Sequence, residues 1–195
     1  MTFFFLDTST KQSFLSLVKN GSVKKVSFLK GDFSLSKTLY PELLELLPAE
    51  NLSLLKALFV GLGPGSFTGT RVGVVLAKTL SYAKNIPLIG FSSLELAQKN
   101  SEEIALLDAK SSGIYVYEKG IVQLYSEEAF LEKFSNSSLS FVSLDRTPIL
   151  EKFPKISIEE RVPNPLSLLE RQKNPPTFSL EKTASLEPIY LGNLK

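Results

Sequence analysis

The chain has no histidine and no cysteine in its 195 residues. Without histidine there is no Ser-His-Asp triad, no imidazole general base and no zinc site of the HExxH type. Without cysteine there are no disulfides, thiol nucleophiles or zinc–thiolate centres, which suits a reducing, cytoplasmic setting. Net charge is also low, at +2, so strong nonspecific binding to nucleic acid is not expected. No apolar run reaches the length of a membrane span. The opening Met1-Thr2-Phe3-Phe4-Phe5-Leu6-Asp7 has no basic region ahead of its apolar residues, so a signal peptide is not expected.

Carboxylates, lysines, tyrosines and hydroxyls are left for chemistry. The composition, 43% hydrophobic and 22% charged with 11 glycines and 11 prolines, is that of a soluble globule with one domain or two small lobes.

The most distinctive stretch runs from Val60 to Arg71 and carries Gly61, Gly63, Pro64, Gly65 and Gly69. It is predicted to leave a buried strand, Ala57 to Gly61, and to enter a helix from Thr68 to Ala83. A Gly-rich turn feeding a helix N-terminus suits an anion, because the backbone can approach closely and the first-turn N–H groups are free. No Gly-Lys-Ser/Thr closes it, so it is not a P-loop, and its glycine spacing is not the dinucleotide fingerprint. It serves either as a phosphate cradle, through Gly63, Gly65, Ser66 and Thr68, or as a tight turn that lets the helix pack closely.

Before this stretch, Phe3 to Leu6 reads as a strand buried on both faces. Asp7-Thr8-Ser9-Thr10 is a polar turn. Phe14 to Val18 and Val23 to Leu29 are strands joined at Asn20-Gly21, the pair a type I′ turn demands. Gly31 to Ser36 is a loop, and a helix follows from Lys37 to Leu47 with Pro41 in its first turn. The helix after the Gly-rich loop is apolar around most of its circumference, so its second side needs a neighbouring helix or another protein. Beyond it the pattern predicts a strand at Leu88 to Phe91 and a helix at Leu94 to Lys99 capped by Ser92 or Ser93 with help from Glu95. Strands are expected at Ile104 to Leu107, Ile114 to Tyr117 and Leu139 to Leu144, with a helix at Glu127 to Phe134. Six prolines between Thr147 and Pro176 leave room for short elements only, with one helix at Leu166 to Arg171.

The opening and the middle repeat one design. A buried strand delivers Asp7 into a polar turn and a strand ending at Asn20-Gly21. Another delivers Asp108, 101 residues later, into a polar turn and a strand ending at Lys119-Gly120. Two such copies predict a duplicated α/β fold of the actin-like or sugar-kinase-like ATPase kind, with lobes at residues 1–100 and 101–195 and the second reduced. In that architecture the first corner of each lobe faces nucleotide phosphates. Asp7, with Ser9 and Thr10, is then a magnesium-water ligand or a turn-capping carboxylate, and the same choice stands at Asp108. Neither motif holds a second carboxylate or a base, so machinery for phosphoryl transfer is not visible.

Gly63-Pro64-Gly65-Ser66-Phe67-Thr68-Gly69-Thr70-Arg71-Val72-Gly73, with Asn85-Ile86-Pro87-Leu88-Ile89-Gly90-Phe91-Ser92-Ser93-Leu94-Glu95, closely resembles the TsaB family, formerly YeaZ. Asp7 to Thr10, Leu39-Tyr40-Pro41, Leu107 to Lys110 and Pro188-Ile189-Tyr190-Leu191 are similar to further motifs of that family. The likeness is dense over residues 1 to 118 and thin beyond. The chain departs from the pattern at Leu35, near a position where histidine is common, and at Gly192, where arginine is common, and its second lobe is short.

The resemblance implies a cytoplasmic, non-catalytic scaffold in the bacterial machinery that makes threonylcarbamoyladenosine at position 37 of tRNAs reading ANN codons. Its partner is the TsaD-type transferase, which has the same fold and holds a metal through a histidine pair. A TsaE-type ATPase joins as third member, and tRNA is met only indirectly. The first helix and the Gly-loop helix form a four-helix bundle with the partner or with a second copy. This points to Leu39, Leu43, Leu47, Arg71, Val72, Val75, Leu76, Lys78 and Leu80 as contacts. From the residues alone, Leu39, Leu43 and Leu47 serve core and partner equally well, and Arg71 and Lys78 are solvated or paired with a partner's acids. No resident cofactor is implied, beyond weak ATP–magnesium binding where the two proteins meet. The competing reading is an ATP-dependent small-molecule kinase or ATPase on the same fold. A peptidase reading fails for want of a metal site or a nucleophile–base pair.

Overall fold

Thr2–Asp7 forms β1, the middle strand of the first sheet, and it is buried from Phe3 to Asp7. Side chains alternate along a strand, so Phe4 and Leu6 join a helix-covered core while Phe3 and Phe5 meet Phe59 on the other face. The Phe5 and Phe59 rings stack with centroids 4.4 Å apart, and Phe3 meets Phe59 edge-on at 6.0 Å. The computed structural model describes residues 1–30, 35–134, 139–172 and 177–191. The chain divides into two compact units, one of Met1–Ser93 with Leu168–Ile189 and one built on Leu94–Ser167.

In the first unit β1 pairs antiparallel with β2 (Gln12–Lys19), which pairs antiparallel with β3 (Ser22–Lys30). Asn20 and Gly21 both take positive φ, 52° and 72°, at the turn between β2 and β3. On its other side β1 runs parallel to β4 (Ala57–Gly61), and β4 runs parallel to β5 (Leu88–Phe91), giving the order β3-β2-β1-β4-β5. Helix α1 (Leu35–Leu46) and helix α2 (Phe67–Lys84) cover one face. Leu35, Leu39, Leu43 and Leu46 of α1 and Val74, Ala77 and Leu80 of α2 close the core over Phe4, Leu6, Leu58 and Val60. Each such leucine stabilises the fold by about 1.5–3 kcal/mol through its burial.

The second unit repeats this plan. Its strands are β6 (Ile104–Asp108), β7 (Ile114–Glu118), β8 (Ile121–Tyr125), β9 (Phe141–Ser143) and β10 (Ile158–Glu160). Their order is β10-β9-β6-β7-β8, with β6 antiparallel to β7, β7 antiparallel to β8, β6 parallel to β9 and β9 parallel to β10. Strand for strand this is the first sheet again, and Lys119 and Gly120 repeat the positive φ of Asn20 and Gly21. The fold is thus the actin-like or sugar-kinase-like one, with two similar lobes. The second copy is trimmed: β9 and β10 have three residues each. Helix α3 (Glu127–Phe134) and helix α4 (Thr147–Lys152) pack on it around Phe130, which lies 4.8 Å from Phe153 and 5.1 Å from Phe134 between ring centroids. Helix α5 spans Pro165–Arg171 and α6 spans Leu180–Ser185.

Several elements differ from expectation. Helix α1 starts at Leu35, because Leu35 is itself buried in the core. Pro41 therefore lies inside the helix and not in its first turn. The missing N–H faces Lys37, which is exposed, so water can serve its carbonyl. The helix expected at Leu94 to Lys99 is a short 3-10 turn, Ser93–Ala97. The hydroxyl of Ser93 is engaged elsewhere. The chain beyond is drawn toward Glu103, whose carbonyl accepts from the Gln98 side chain and whose carboxylate accepts the Lys99 N–H at 2.6 Å. Pro175, Pro176, Gly192 and the loop residues 31–34 lie outside the described residues.

Helix α6 belongs to the first unit. Thr183 is buried and its hydroxyl lies 3.3 Å from that of Ser81 on α2. Lys78 of α2 donates to the Ala184 carbonyl at 2.9 Å. Leu186 packs into the core, and the Ile189 N–H donates to the Leu62 carbonyl at 2.7 Å. Part of the apolar surplus on α2 is therefore covered by the chain's own C-terminal strap. Among the described residues no helix is long and apolar enough to cross a membrane.

Candidate functional site

The Gly-rich loop is built against the corner that follows β1. Ser66 caps α2, its hydroxyl accepting the Gly69 N–H at 3.1 Å. The Thr8 hydroxyl donates to the Gly69 carbonyl at 2.6 Å, and the Ser66 N–H donates to the Ser9 carbonyl at 2.6 Å. A Cβ on Gly69 would strike the Thr8 carbonyl, one on Gly73 the Thr8 hydroxyl, and one on Gly65 the Ser9 carbonyl. At Gly61 it would come within 2.6 and 2.8 Å of the two Asp7 carboxylate oxygens. The small residues of the loop and of α2's first turns thus receive Asp7, Thr8 and Ser9.

Part of the loop's polar backbone is engaged in further contacts. Gly63 donates its N–H to the Ser93 hydroxyl at 3.1 Å and accepts the Ser93 N–H at 2.9 Å. Gly63 is buried, whereas Gly65, Ser66 and Thr68 are exposed, and Thr10 is half-buried.

Asp7 is 2% exposed, and its Oδ1 accepts the Ser9 N–H at 2.8 Å. Burial pushes its carboxyl above the ordinary range, against the pull of the Ser9 N–H and of the Ser9 and Ser93 hydroxyls. Oδ2 of Asp7 and Oγ of Ser9 are nevertheless without a hydrogen bond of ordinary geometry. Two unpaired polar atoms therefore sit in one closed corner. Among the described residues no group of three or more carboxylates could hold a metal ion.

The matching corner of the second unit is finished differently. Asp108 Oδ1 accepts the Lys110 N–H at 3.1 Å, the same local turn as at Asp7. Here the Lys152 ammonium of α4 lies 2.9 Å from Asp108 and 3.4 Å from Glu127, and it donates to the carbonyls of Lys110 and Gly113. Burial works against the ammonium, yet Asp108 and then Glu127 outweigh it and raise its pKa above the ordinary lysine value.

A third feature is an apolar groove of about 440 Å³ between α1 and α2, lined by Leu39, Tyr40, Arg71, Val72, Val75 and Leu76 among others. Val75 is 63% exposed and Tyr40 44%. Beside it the Arg71 guanidinium stands 3.7 Å from the centroid of the exposed Phe67 ring.

Not every predicted contact residue faces this groove. Leu43, Leu47 and Leu80 are buried in the core, and Leu39, 1% exposed, is only the groove's floor. Helical periodicity turns these positions toward the sheet. Lys78 donates to the Ala184 carbonyl of α6 and does not line the groove. Sequence reasoning also missed three contributors. Thr8 lies within the Asp7-Thr8-Ser9-Thr10 turn, Ser93 has the sequence context of a helix cap, and Lys152 carries no local signal at all.

A family model described as TsaD, tRNA N6-adenosine threonylcarbamoyltransferase, matches residues 34–187. The tRNA threonylcarbamoyladenosine biosynthesis protein TsaB of Bacillus subtilis (strain 168) is 31% identical over 136 residues, 63% of this chain and 58% of that protein. The protein of the same description from Haemophilus influenzae (strain ATCC 51907 / DSM 11121 / KW20 / Rd) is 32% identical over 124 residues, 59% of this chain and 52% of that protein. The matches thus span little more than half the length of these relatives. Among solved structures, an uncharacterised Pseudomonas aeruginosa protein with similarity to peptidase YEAZ superposes with a TM-score of 0.74 at 20% identity, covering 98% of this chain and 99% of that one. That likeness speaks for the fold.

Proposed function

As this chain belongs to the TsaB/YeaZ family, we propose that it is the non-catalytic partner of a TsaD-type transferase in the synthesis of threonylcarbamoyladenosine on tRNA. The observation that carries the reading is the α1–α2 groove. It presents Tyr40, Val72, Val75 and Leu76 on the surface, in a chain without a histidine for the transferase's own metal chemistry. An exposed apolar groove rimmed by a cation suits a protein surface. The same groove serves a second copy of the chain when the partner is absent. A TsaE-type ATPase adds to the pair, tRNA is met through the partner, and the complex works in the cytoplasm.

Mixing the chain with a TsaD homologue tests this. A stable complex is expected on size-exclusion chromatography, and the chain alone modifies no tRNA. Separate elution with and without nucleotide would remove the scaffold reading.

A second reading, an ATPase or small-molecule kinase on the same fold, has one observation in its favour: the unpaired Asp7 and Ser9 oxygens at the first corner. ATP hydrolysis by the purified chain that is lost in Asp7→Ala would select it.

A further inference from the structure

We propose that the Lys152 ammonium is the built-in occupant of an oxygen-lined cation pocket at the second hairpin corner, and that the emptied pocket takes a hard divalent cation, calcium in preference to magnesium.

The pocket wall is two carboxylates, Asp108 and Glu127, and two backbone carbonyls, Lys110 and Gly113. An ammonium has three protons and one positive charge, and here it meets four acceptors that carry two negative charges. The turn that supplies Asp108 and the two carbonyls is held by bonds of its own, whereas Glu127 joins from α3 with its side chain half exposed. The Ala109 N–H binds the Gly113 carbonyl at 3.1 Å, the Gly113 N–H binds the Lys110 carbonyl at 3.3 Å, and Asp108 caps Lys110. Lys110 and Gly113 hold positive φ, 55° and 105°, and the carbonyls of both accept from the ammonium. Gly113 is in addition pressed against the Tyr125 backbone, where a Cβ would lie 3.0 Å from the carbonyl carbon. Lys152 enters from α4, so removing it leaves the turn intact.

With the lysine gone, two uncompensated carboxylates and two carbonyls remain. Hard cations prefer all-oxygen sets of this kind. Calcium accepts them with flexible geometry and added water, while magnesium demands near-octahedral coordination and dehydrates reluctantly. The two corners of the duplicated fold are therefore shut by different means. In the first the carboxylate of Asp7 is buried in the space that Gly61 leaves by lacking a side chain, and the second is filled by a covalently tethered cation. A metal, or a phosphate group that arrives with one, finds the second corner taken. This inference does not depend on the partner proposed above.

The experiment compares thermal unfolding of the full chain in chelator, calcium and magnesium, together with terbium luminescence sensitised by the nearby Tyr125. The wild-type protein is expected to respond to none of these ions. Lys152→Ala is expected to melt higher in calcium than in chelator, with a smaller rise in magnesium, and to bind terbium. Lys152→Ala combined with Asp108→Asn should lose both responses. A folded Lys152→Ala that ignores all three ions overturns the proposal, as does Asp108-dependent terbium binding by the wild type. Should Lys152→Ala not fold, Lys152→Met keeps the methylene stem and is read the same way. Failure of both variants to fold in calcium also overturns it, since calcium is to replace the missing charge.

Discussion

The hydroxyl of Thr8 donates a hydrogen bond to the carbonyl of Gly69 at 2.6 Å, joining residues 61 positions apart. The same hydroxyl occupies the space a side chain at Gly73 would need. The corner after β1 and the start of α2 are therefore one packed object, with little room between them.

Gly73→Ala is expected to destabilise the chain by about 1–3 kcal/mol, the range for overpacking a filled site. Adding Thr8→Ala should return part of that loss, because the clash is with the Thr8 hydroxyl. Urea unfolding of the two single variants and the double variant measures the coupling, and strictly additive effects would show that the two residues do not share the space.

Asp7→Asn is expected to stabilise the chain at neutral pH. Asp7 has its folded pKa raised above the ordinary 3.8 by burial. The folded state therefore holds this proton more tightly than the unfolded chain. Its favourable contribution is complete below about the unfolded value and is lost as pH rises through the folded one. Above that window the native fold carries a buried charge, which Asn removes. The gain should shrink as pH falls toward the unfolded value. Urea midpoints across that range check it, and an equal loss at every pH would contradict it.

Val75→Glu should abolish association with a TsaD-type partner while changing stability by no more than about 0.5 kcal/mol, as is usual at exposed positions. Val75 is 63% exposed on the groove rim. Leu43→Glu is the contrasting case: Leu43 is fully buried, so it should unfold the chain and inform only on the core. Circular dichroism and chromatography separate the two outcomes.

Gly90→Ala should loosen the C-terminal strap. A Cβ there would lie 2.5 Å from Leu62 Cδ1 and 2.9 Å from Leu186 Cδ2. Hydrogen exchange at the Ile189 N–H, which is bonded to the Leu62 carbonyl, should speed up before exchange within β4 does.

How far the fold could be read in advance follows from the range of the forces involved. Phe3 to Leu6, Asn20-Gly21 and the paired Asp7 and Asp108 corners depend on period-two burial and local backbone preference, and these are written in adjacent residues. The failed helix at Leu94 to Lys99 depended on Ser93, whose hydroxyl answers to Gly63, thirty residues away. Leu43 and Val75 lie on helices of similar apolar character. Only the placement of each helix on the sheet decides which residue is core and which is rim. Lys152 could not be singled out, since a lone lysine in a proline-rich stretch has no pattern until α4 brings it to Asp108.

The strap bears on the order in which the protein can be made. The covering of the first sheet includes α6, Leu186 and Ile189, which leave the ribosome after all of β6 to β10. The unit whose strands are synthesised first is therefore completed only after every strand of the other has been made. A nascent chain halted between residues 161 and 179 carries α2 with its strap-facing side bare, and so needs protection at a stage when every strand of the second unit has already been made.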